Sequence, residues 1–420
     1  MRSGVVGFKR VWSAAGVLTL TGGLLLTTAH TASADYIRDK QWALGAFAAE
    51  DVWPESQGAG VIVAVVDSGV DASHPDLSGQ VLPGKDFTGD DKAHEDLVGH
   101  GTKMASIIAG HGHGAGNDSG VIGLAPKAKI LPLRTLRTRE DRNLEETWAP
   151  AVRYAVDHGA KVINLSFGSE GGSKTSSDGV EAIAYAQAHD VVVVAAAGNE
   201  GGAVIEPAAL PGVVSVGAVD EKANLWEDSN TGKVLALTAP GADIVGANNT
   251  MSNGYGVASG TSEATAYVSA AAALVRSKYP DLTAGQVINR LIKTATFAHH
   301  KGLKAPDEEY GYGIVRPYSA LTMDVPAGPK KNPLGQLDAA AVSSQSSPDK
   351  DPATQAEKKS SSNNFVLIGG AAAVVAIGVI AFVVLRSRRS GGPGSGGGTP
   401  SQGPGYQPYG QGPQSRNPYS

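Results

Sequence analysis

The chain of 420 residues predicts an α/β fold with a mostly parallel central sheet and helices on both faces. Continuous, β-branched runs recur between residues 61 and 320: VIVAVV (61–66), KVINLSF (161–167), VVVVAAA (191–197) and VVSVGAV (213–219). Runs without alternation are what strands buried on both faces require. Amphipathic stretches at 147–158 and 178–189, the second opened by Asp178, separate several of them. Strand–helix–strand alternation with short loops builds a parallel sheet covered on both sides.

Taken from the N-terminus, residues 1–34 read as an export signal. Arg2, Lys9 and Arg10 start it, an apolar stretch runs through Ala14–Ala29, and Ala32-Ser33-Ala34 is a small-residue cleavage site. The short extension from Asp35 to Gly60 cannot hold a folded inhibitory prodomain and is expected to pack on the body. The body spans 61–322. Its last regular helix, near 284–295, opens with a capping box of Thr283 and Gln286. From 323 to 364 the chain is rich in Pro, Ser and Lys, with too few large apolar residues for a core, and reads as a disordered stalk.

Phe365 to Leu385 then runs without a charge, long enough to cross ~30 Å of hydrocarbon as a helix. Arg386, Arg388 and Arg389 follow at once, which puts the low-complexity tail, 386–420, in the cytoplasm. The expected layout is a single-pass protein of the cell membrane with its body outside.

Composition excludes several classes. Cysteine is absent, so disulfides, thiolate catalysis and cysteine-ligated metals are ruled out. The expected exported part, 35–364, holds 28 of the 35 Lys and Arg but all 40 Asp and Glu, a net charge of −12. An acidic ectodomain argues against nucleic acid or anionic lipid as its partner.

Chemistry concentrates at element boundaries. VVDSGV puts Asp67 at the carboxyl end of the first buried strand, and GHGTKMASIIAG puts His100 at the start of an apolar helix. VASGTSEATAYVSAAAALV (257–275) puts Ser262 where a glycine turn becomes an alanine-rich helix. Each residue has a plainer reading. Ser262 suits an N-cap, Asp67 a turn, and His100 a helix cap; Asn199 in AAAGNEG suits a left-handed loop position. Jointly the plain readings demand independent coincidences, because ligands of open parallel sheets bind outside the carboxyl ends of the strands. A serine hydroxyl needs a base, which His100 supplies. Asp67 would fix the imidazole's tautomer, and Asn199 with the Ser262 N–H would receive a developing oxyanion.

The Asp-Ser-Gly, His-Gly-Thr and Gly-Thr-Ser motifs, in this order, resemble those of the subtilisin-like serine proteases, and the likeness covers about residues 40–322. HPDL (74–77), GLAPKAKILPLR (123–134) and GYGIVRP (311–317) also match flanking family segments. The resemblance implies a subtilisin-like three-layer fold and an endopeptidase acting on peptide bonds. It implies Asp67, His100 and Ser262 as the triad, Asn199 as oxyanion donor, and Ser166, Phe167 and Gly168 as an edge where the substrate backbone pairs. Signal, stalk, span and short tail are together similar to the layout of mycosins, the membrane-anchored subtilases associated with type VII secretion, which implies secretion-system components as partners. The rival reading is a scaffold of such a system that uses the fold for binding alone.

The chain departs from the family pattern beside both motifs. Lys103-Met104 stand where His-Val is usual, and Glu263-Ala264-Thr265-Ala266 where Met-Ala-x-Pro is usual. Glu263 reads either as an ionised first-turn residue favoured by the helix dipole or as a charge on the primed side of the cleft. No cofactor is expected. His111 and His113 in AGHGHGAG read as a flexible Gly-rich loop rather than a metal site. Asp90, Asp91, Glu95 and Asp96 match no calcium pattern, although many subtilases bind calcium, and read as a solvated charge run.

Overall fold

The computed structural model describes residues 36–138, 141, 144–168 and 174–337. The expected signal, the apolar run 365–385 and the tail lie outside the described residues. In chain order the helices are α1 (Trp42–Ala46), α2 (Ala49–Val52), α3 (His100–Ala109), α4 (Leu144–Asp157), α5 (Ser177–Ala188), α6 (Thr261–Lys278), α7 (Ala284–Thr294) and α8 (Pro317–Thr322). The strands are β1 (Ile62–Asp67), β2 (Lys85–Asp86), β3 (His111–His113), β4 (Ser119–Ile122), β5 (Lys129–Arg134), β6 (Val162–Leu165), β7 (Val192–Ala196), β8 (Val214–Val219), β9 (Leu237–Pro240), β10 (Ile244–Ala247) and β11 (Tyr255–Ala258).

The central sheet has seven strands in the order β2-β5-β1-β6-β7-β8-β9, every pairing parallel. Alternation along β1 feeds both layers. Val63 and Val65 join the core with α3 and α6, whereas Ala64 and Val66 join the core with α4 and α5. The chain leaves β1 toward β5 on one side and toward β6 on the other, so the carboxyl end of β1 is the switch point of the topology. Asp67 is its last residue.

Helix α6 is buried from Thr261 to Arg276, and its Ala264, Ala266, Ala270, Ala272 and Ala273 are wholly inaccessible. A helix enclosed on all sides has small side chains because the sheet and the neighbouring helices α3, α7 and α8 approach its backbone closely. Helix α7 begins with the expected capping box. Helix α5 is capped two residues earlier than the sequence suggested. Ser176, in an extended conformation, accepts from the Gly179 N–H, and Asp178 lies inside the first turn.

The segment at 36–56 is bound to the body. Arg38 donates to the carbonyls of Asn117, Ser119 and Gly120, Gln41 exchanges hydrogen bonds with Ile122, and Trp42 and Trp53 donate to Ala242 and Leu124. Residues 323–337, expected within the stalk, also follow the body. Arg290 takes the Met323 and Val325 carbonyls, Gln286 takes the Gly328 carbonyl, and Gly212 donates to Leu334. Polar body side chains supply the hydrogen bonds that the segment's own poor apolar content could not, so the ordered body runs on to Leu337.

The acidic run at 90–96 is not simply solvated. Asp96 is buried and accepts from Ser68 Oγ at 2.8 Å, from the N–H groups of Val98, Gly99 and Thr102, and from Thr102 Oγ. It thereby caps the N-terminus of α3 from outside, since Gly99 at the N-cap has no side chain to do so. Glu95 and Asp90 face the buried guanidinium of Arg134, alongside Asp86. Removing Asp96 strands several buried donors, each costing about 1–3 kcal/mol. Asp96→Ala, in a Ser262→Ala background that prevents self-digestion, should therefore lower stability in denaturant by at least about 2 kcal/mol. A change within ~0.5 kcal/mol, typical of surface sites, would return Asp96 to the solvated class.

Candidate active site

Asp67 and His100 are joined directly. His100 Nδ1 lies 2.9 Å from both Asp67 Oδ1 and Oδ2. A carboxylate can only accept, so Nδ1 carries the proton and Nε2 of the neutral ring holds a free lone pair. The Asp67 side chain is 3% exposed and that of His100 27%. Asp67 is steadied by the Ser68 N–H, and Ser68 Oγ in turn accepts from Gly101 N at 3.0 Å and donates to Asp96. A Cβ on Gly101 would collide with the Gly69 carbonyl and crowd the Asp67 Cβ, which is why the residue after His100 must be glycine.

Ser262 sits in the first turn of α6, where N–H groups have no intrahelical partner. Its hydroxyl donates to the Ser166 carbonyl at 3.0 Å, and Ser166 Oγ donates to the Ser262 carbonyl at 3.1 Å. Beneath them, Asn164 donates to Ser166 Oγ and accepts from Ser269 Oγ. This buried chain locks the end of β6 to α6. Ser166 is thus committed on both polar atoms, while Phe167 and Gly168 are half-buried beyond it, the ring of Phe167 6.0 Å from Trp148.

Asn199 is exposed after β7. Its Oδ1 accepts from Thr261 N and Thr261 Oγ, each at 2.8 Å. Because a backbone N–H must meet an oxygen, the amide orientation follows, and among the described residues Nδ2 has no hydrogen-bond partner on the Gly260–Ser262 side. Asn230 holds the loop, accepting from the Glu200 and Gly202 N–H groups and donating to Glu200. The four residues singled out for an acyl-transfer centre are therefore at one edge of the sheet. Asn164 and Asn230, which help to hold them there, carry no motif that singles them out, and Thr261 lies within the Gly-Thr-Ser motif without a role that the motif alone assigns.

Glu263 is in the first turn of α6, as one of the two readings had it, but its side chain is not at the surface. It turns inward, 3% exposed, with Oε1 3.8 Å from Lys103 Nζ. Burial raises its pKa, while His100 and Lys103 act to lower it. Burial alone would push the His100 imidazole down. The charge and hydrogen bond of Asp67, with a further contribution from Glu263, outweigh it, and the pKa is raised to about 9.

The remaining candidates do not assemble a metal site. His113 Nδ1 donates to the buried Asp76 at 2.6 Å, and His111–His113 is a strand paired with Ser119–Ile122, not a flexible loop. Three of the four carboxylates considered for calcium are occupied: Asp96 by N–H and O–H donors, Asp90 and Glu95 by arginines. That donor set does not fit a calcium ion. Among the described residues no group of at least three His, Cys, Asp or Glu is arranged for a metal.

The family model described as "Subtilase family" matches residues 58–313. The chain belongs to the subtilase family. It is 36% identical over 300 residues, 71% of each chain, to the thermophilic serine proteinase of Bacillus sp. (strain AK1). MycP1 from Mycobacterium smegmatis superposes with a TM-score of 0.61 at 30% identity, covering 70% of this chain and 87% of that one. MycP3, a protease from the type VII (ESX-3) secretion system, gives 0.58 at 32% identity, covering 67% and 88%. This subtilase has the subtilisin-like α/β fold and is a serine endopeptidase.

The raised His100 pKa makes a stability prediction with a definite sign. A group whose pKa rises on folding contributes stability that is fully present below its unfolded pKa, near 6.5, and is lost as pH rises through about 9. Denaturant unfolding of the Ser262→Ala subtilase should show stability declining between those values. His100→Gln should flatten that decline, and parallel curves for the two proteins would contradict the assignment.

Proposed function

We propose that this subtilase is exported and membrane-anchored, and that it cleaves proteins at the outer face of the cell membrane with Asp67, His100 and Ser262 as triad and Asn199 as oxyanion donor. The observation that carries the reading is the pair of 2.9 Å contacts from one buried carboxylate to His100 Nδ1, which leaves Nε2 of the neutral ring with the lone pair that a general base needs.

Catalysis begins when the Ser262 hydroxyl turns from the Ser166 carbonyl to His100 Nε2. His100 takes the proton as Ser262 Oγ bonds to the scissile carbonyl carbon. The carbonyl electron pair moves onto oxygen, which receives hydrogen bonds from the Ser262 N–H and Asn199 Nδ2. Asp67 stabilises the imidazolium. Collapse breaks the C–N bond, His100 protonates the leaving amine, and an acyl-enzyme remains on Ser262. Water, deprotonated by the same imidazole, repeats the sequence and releases the acid. No cofactor enters these steps, because N–H groups meet the developing charge. The substrate backbone pairs along Ser166–Gly168 as an added strand, which orients the scissile bond over Ser262.

The export signal, the apolar run 365–385 and the arginines after it support an anchored enzyme with its body outside. The likeness to MycP1 and MycP3 supports secretion-system components as partners.

Ser262→Ala and His100→Ala should each abolish nearly all peptide cleavage, and the double variant should be little worse, because the groups act as a unit. Asn199→Ala should fold normally and lose about 100–1000-fold in kcat, the usual loss for one oxyanion donor. Cleavage persisting in Ser262→Ala, or wild-type turnover in Asn199→Ala, would overturn these assignments.

Topology is tested on cells stripped of their wall. Added protease should release the intact body by cutting between 338 and 364, leaving the tail protected. Digestion of the tail with the body protected would invert the orientation.

A further inference from the structure

Lys103 and Glu263 flank the site from the first turns of α3 and α6, and the structure brings them together. Lys103 is 8% exposed and Glu263 3%, with Nζ and Oε1 3.8 Å apart. The aliphatic stem of Lys103 runs under β10, where a Cβ on Gly246 would meet its Cγ at 2.6 Å. The Glu263 carboxylate tucks beneath Gly260, close enough that a Cβ there would lie 2.9 Å from Oε2. Both charges are thus held under the motifs that carry His100 and Ser262, away from the open cleft.

Burying two ions costs several kcal/mol each, which their attraction seldom more than offsets. Apolar residues of similar volume would hold the same helices as well. The position of the pair next to an imidazole that must gain a positive charge supplies a reason for it. We propose that the Glu263–Lys103 ion pair is an electrostatic support for His100, in which Glu263 stabilises the imidazolium formed during turnover and Lys103 limits that stabilisation. This rests on the triad reading. Both are positioning residues with opposed effects, and neither touches substrate.

The charged groups around His100 are few. Strand β1 brings Asp67, the loop before α3 brings Asp96, α3 brings Lys103, and α6 brings Glu263 and, one turn deeper, Tyr267. Strands β4 and β10, packed on α3, bear no titratable side chain. Lys129 and Arg134 of β5 and the nearby Asp76 are engaged by Gln80, Asp86 and His113. After burial and Asp67, the groups that act on His100 are Glu263, which favours its charged form, and Lys103, which opposes it. Burial and Glu263 together also raise the Tyr267 pKa, so this phenol stays neutral beside the pair.

The test reads His100 directly, by NMR titration of its ring in the full-length Ser262→Ala protein, with Glu263→Gln or Lys103→Met added. Glu263→Gln should move the titration to lower pH and Lys103→Met to higher pH. In the active enzyme the acid limb of kcat/KM should move the same way. The ratio of kcat/KM at pH 7 to that at pH 10 should then rise several-fold for Glu263→Gln and fall for Lys103→Met. The high-pH plateau of kcat should drop for Glu263→Gln, since the base it leaves is weaker. A merely structural pair would change melting temperature and leave the titration in place, and a His100 titration unmoved by either substitution overturns the proposal. Should Glu263→Gln fail to fold, the charge-free Lys103→Met/Glu263→Met variant is compared with Lys103→Met, and identical titrations overturn it equally. Failure of the triad reading would appear separately, as cleavage persisting in Ser262→Ala.

Discussion

The contact on which the rest of the structure depends is the one between the buried carboxylate of Asp67 and the Nδ1–H of His100. It needs a carboxylate at the carboxyl end of β1, where the chain's path through the sheet divides and a crevice opens. It needs α3 to begin within hydrogen-bonding reach of that point, which the missing side chain of Gly101 permits. It also needs the first turn of α3 to be held without a conventional cap. Asp96 does this through Gly99, Thr102 and Ser68, and Ser68 in turn steadies Asp67. One acidic residue well outside the cleft therefore fixes both partners of the central hydrogen bond.

A second lock fixes α6. Asn164 and Ser166 at the end of β6 bind Ser269 and the Ser262 backbone, and Thr261 orients the Asn199 amide. The alanine-rich face of α6 lets the sheet approach, and these polar contacts set its rotation and depth. The result is a centre whose donors are aimed before any substrate arrives. Preorganisation of this kind is what makes hydrogen bonds to a developing oxyanion effective, since no reorganisation is needed at the moment of reaction. The buried Glu263–Lys103 pair adds charge to the same frame.

Much of this was legible from residue patterns. Unbroken β-branched runs locate β1, β6, β7 and β8 because central parallel strands are apolar on both faces. Edge and accessory strands escape that signal, β2 because it is only Lys85–Asp86, β9 and the β10–β11 hairpin because they are short and interrupted by Pro, Gly or Thr. Asp67, His100, Ser262 and Asn199 were legible because each stands at an element boundary within two residues of a glycine. The surroundings of Glu263, Lys103 and Asp96 were not. Each is a charged residue, and a linear pattern reads such residues as solvated, even at the start of an apolar helix. What buries them is the approach of segments distant in sequence, α3 against α6 for the pair and the loop before α3 against Ser68 for Asp96. The same limit applies to residues 323–337, whose composition resembles a linker but whose backbone is held by Arg290 and Gln286 and whose own Asn332 side chain donates to the Gly212 carbonyl.

The central claim is that Ser262 is the nucleophile and that its own N–H and the Asn199 amide receive the oxyanion. The most direct measurement is a crystal structure of the ectodomain after reaction with a fluorophosphonate. The account predicts phosphorus bonded to Ser262 Oγ, the phosphoryl oxygen accepting hydrogen bonds from Ser262 N and Asn199 Nδ2, and His100 still joined through Nδ1 to Asp67. An adduct on another residue, or a phosphoryl oxygen turned away from Asn199, would contradict it.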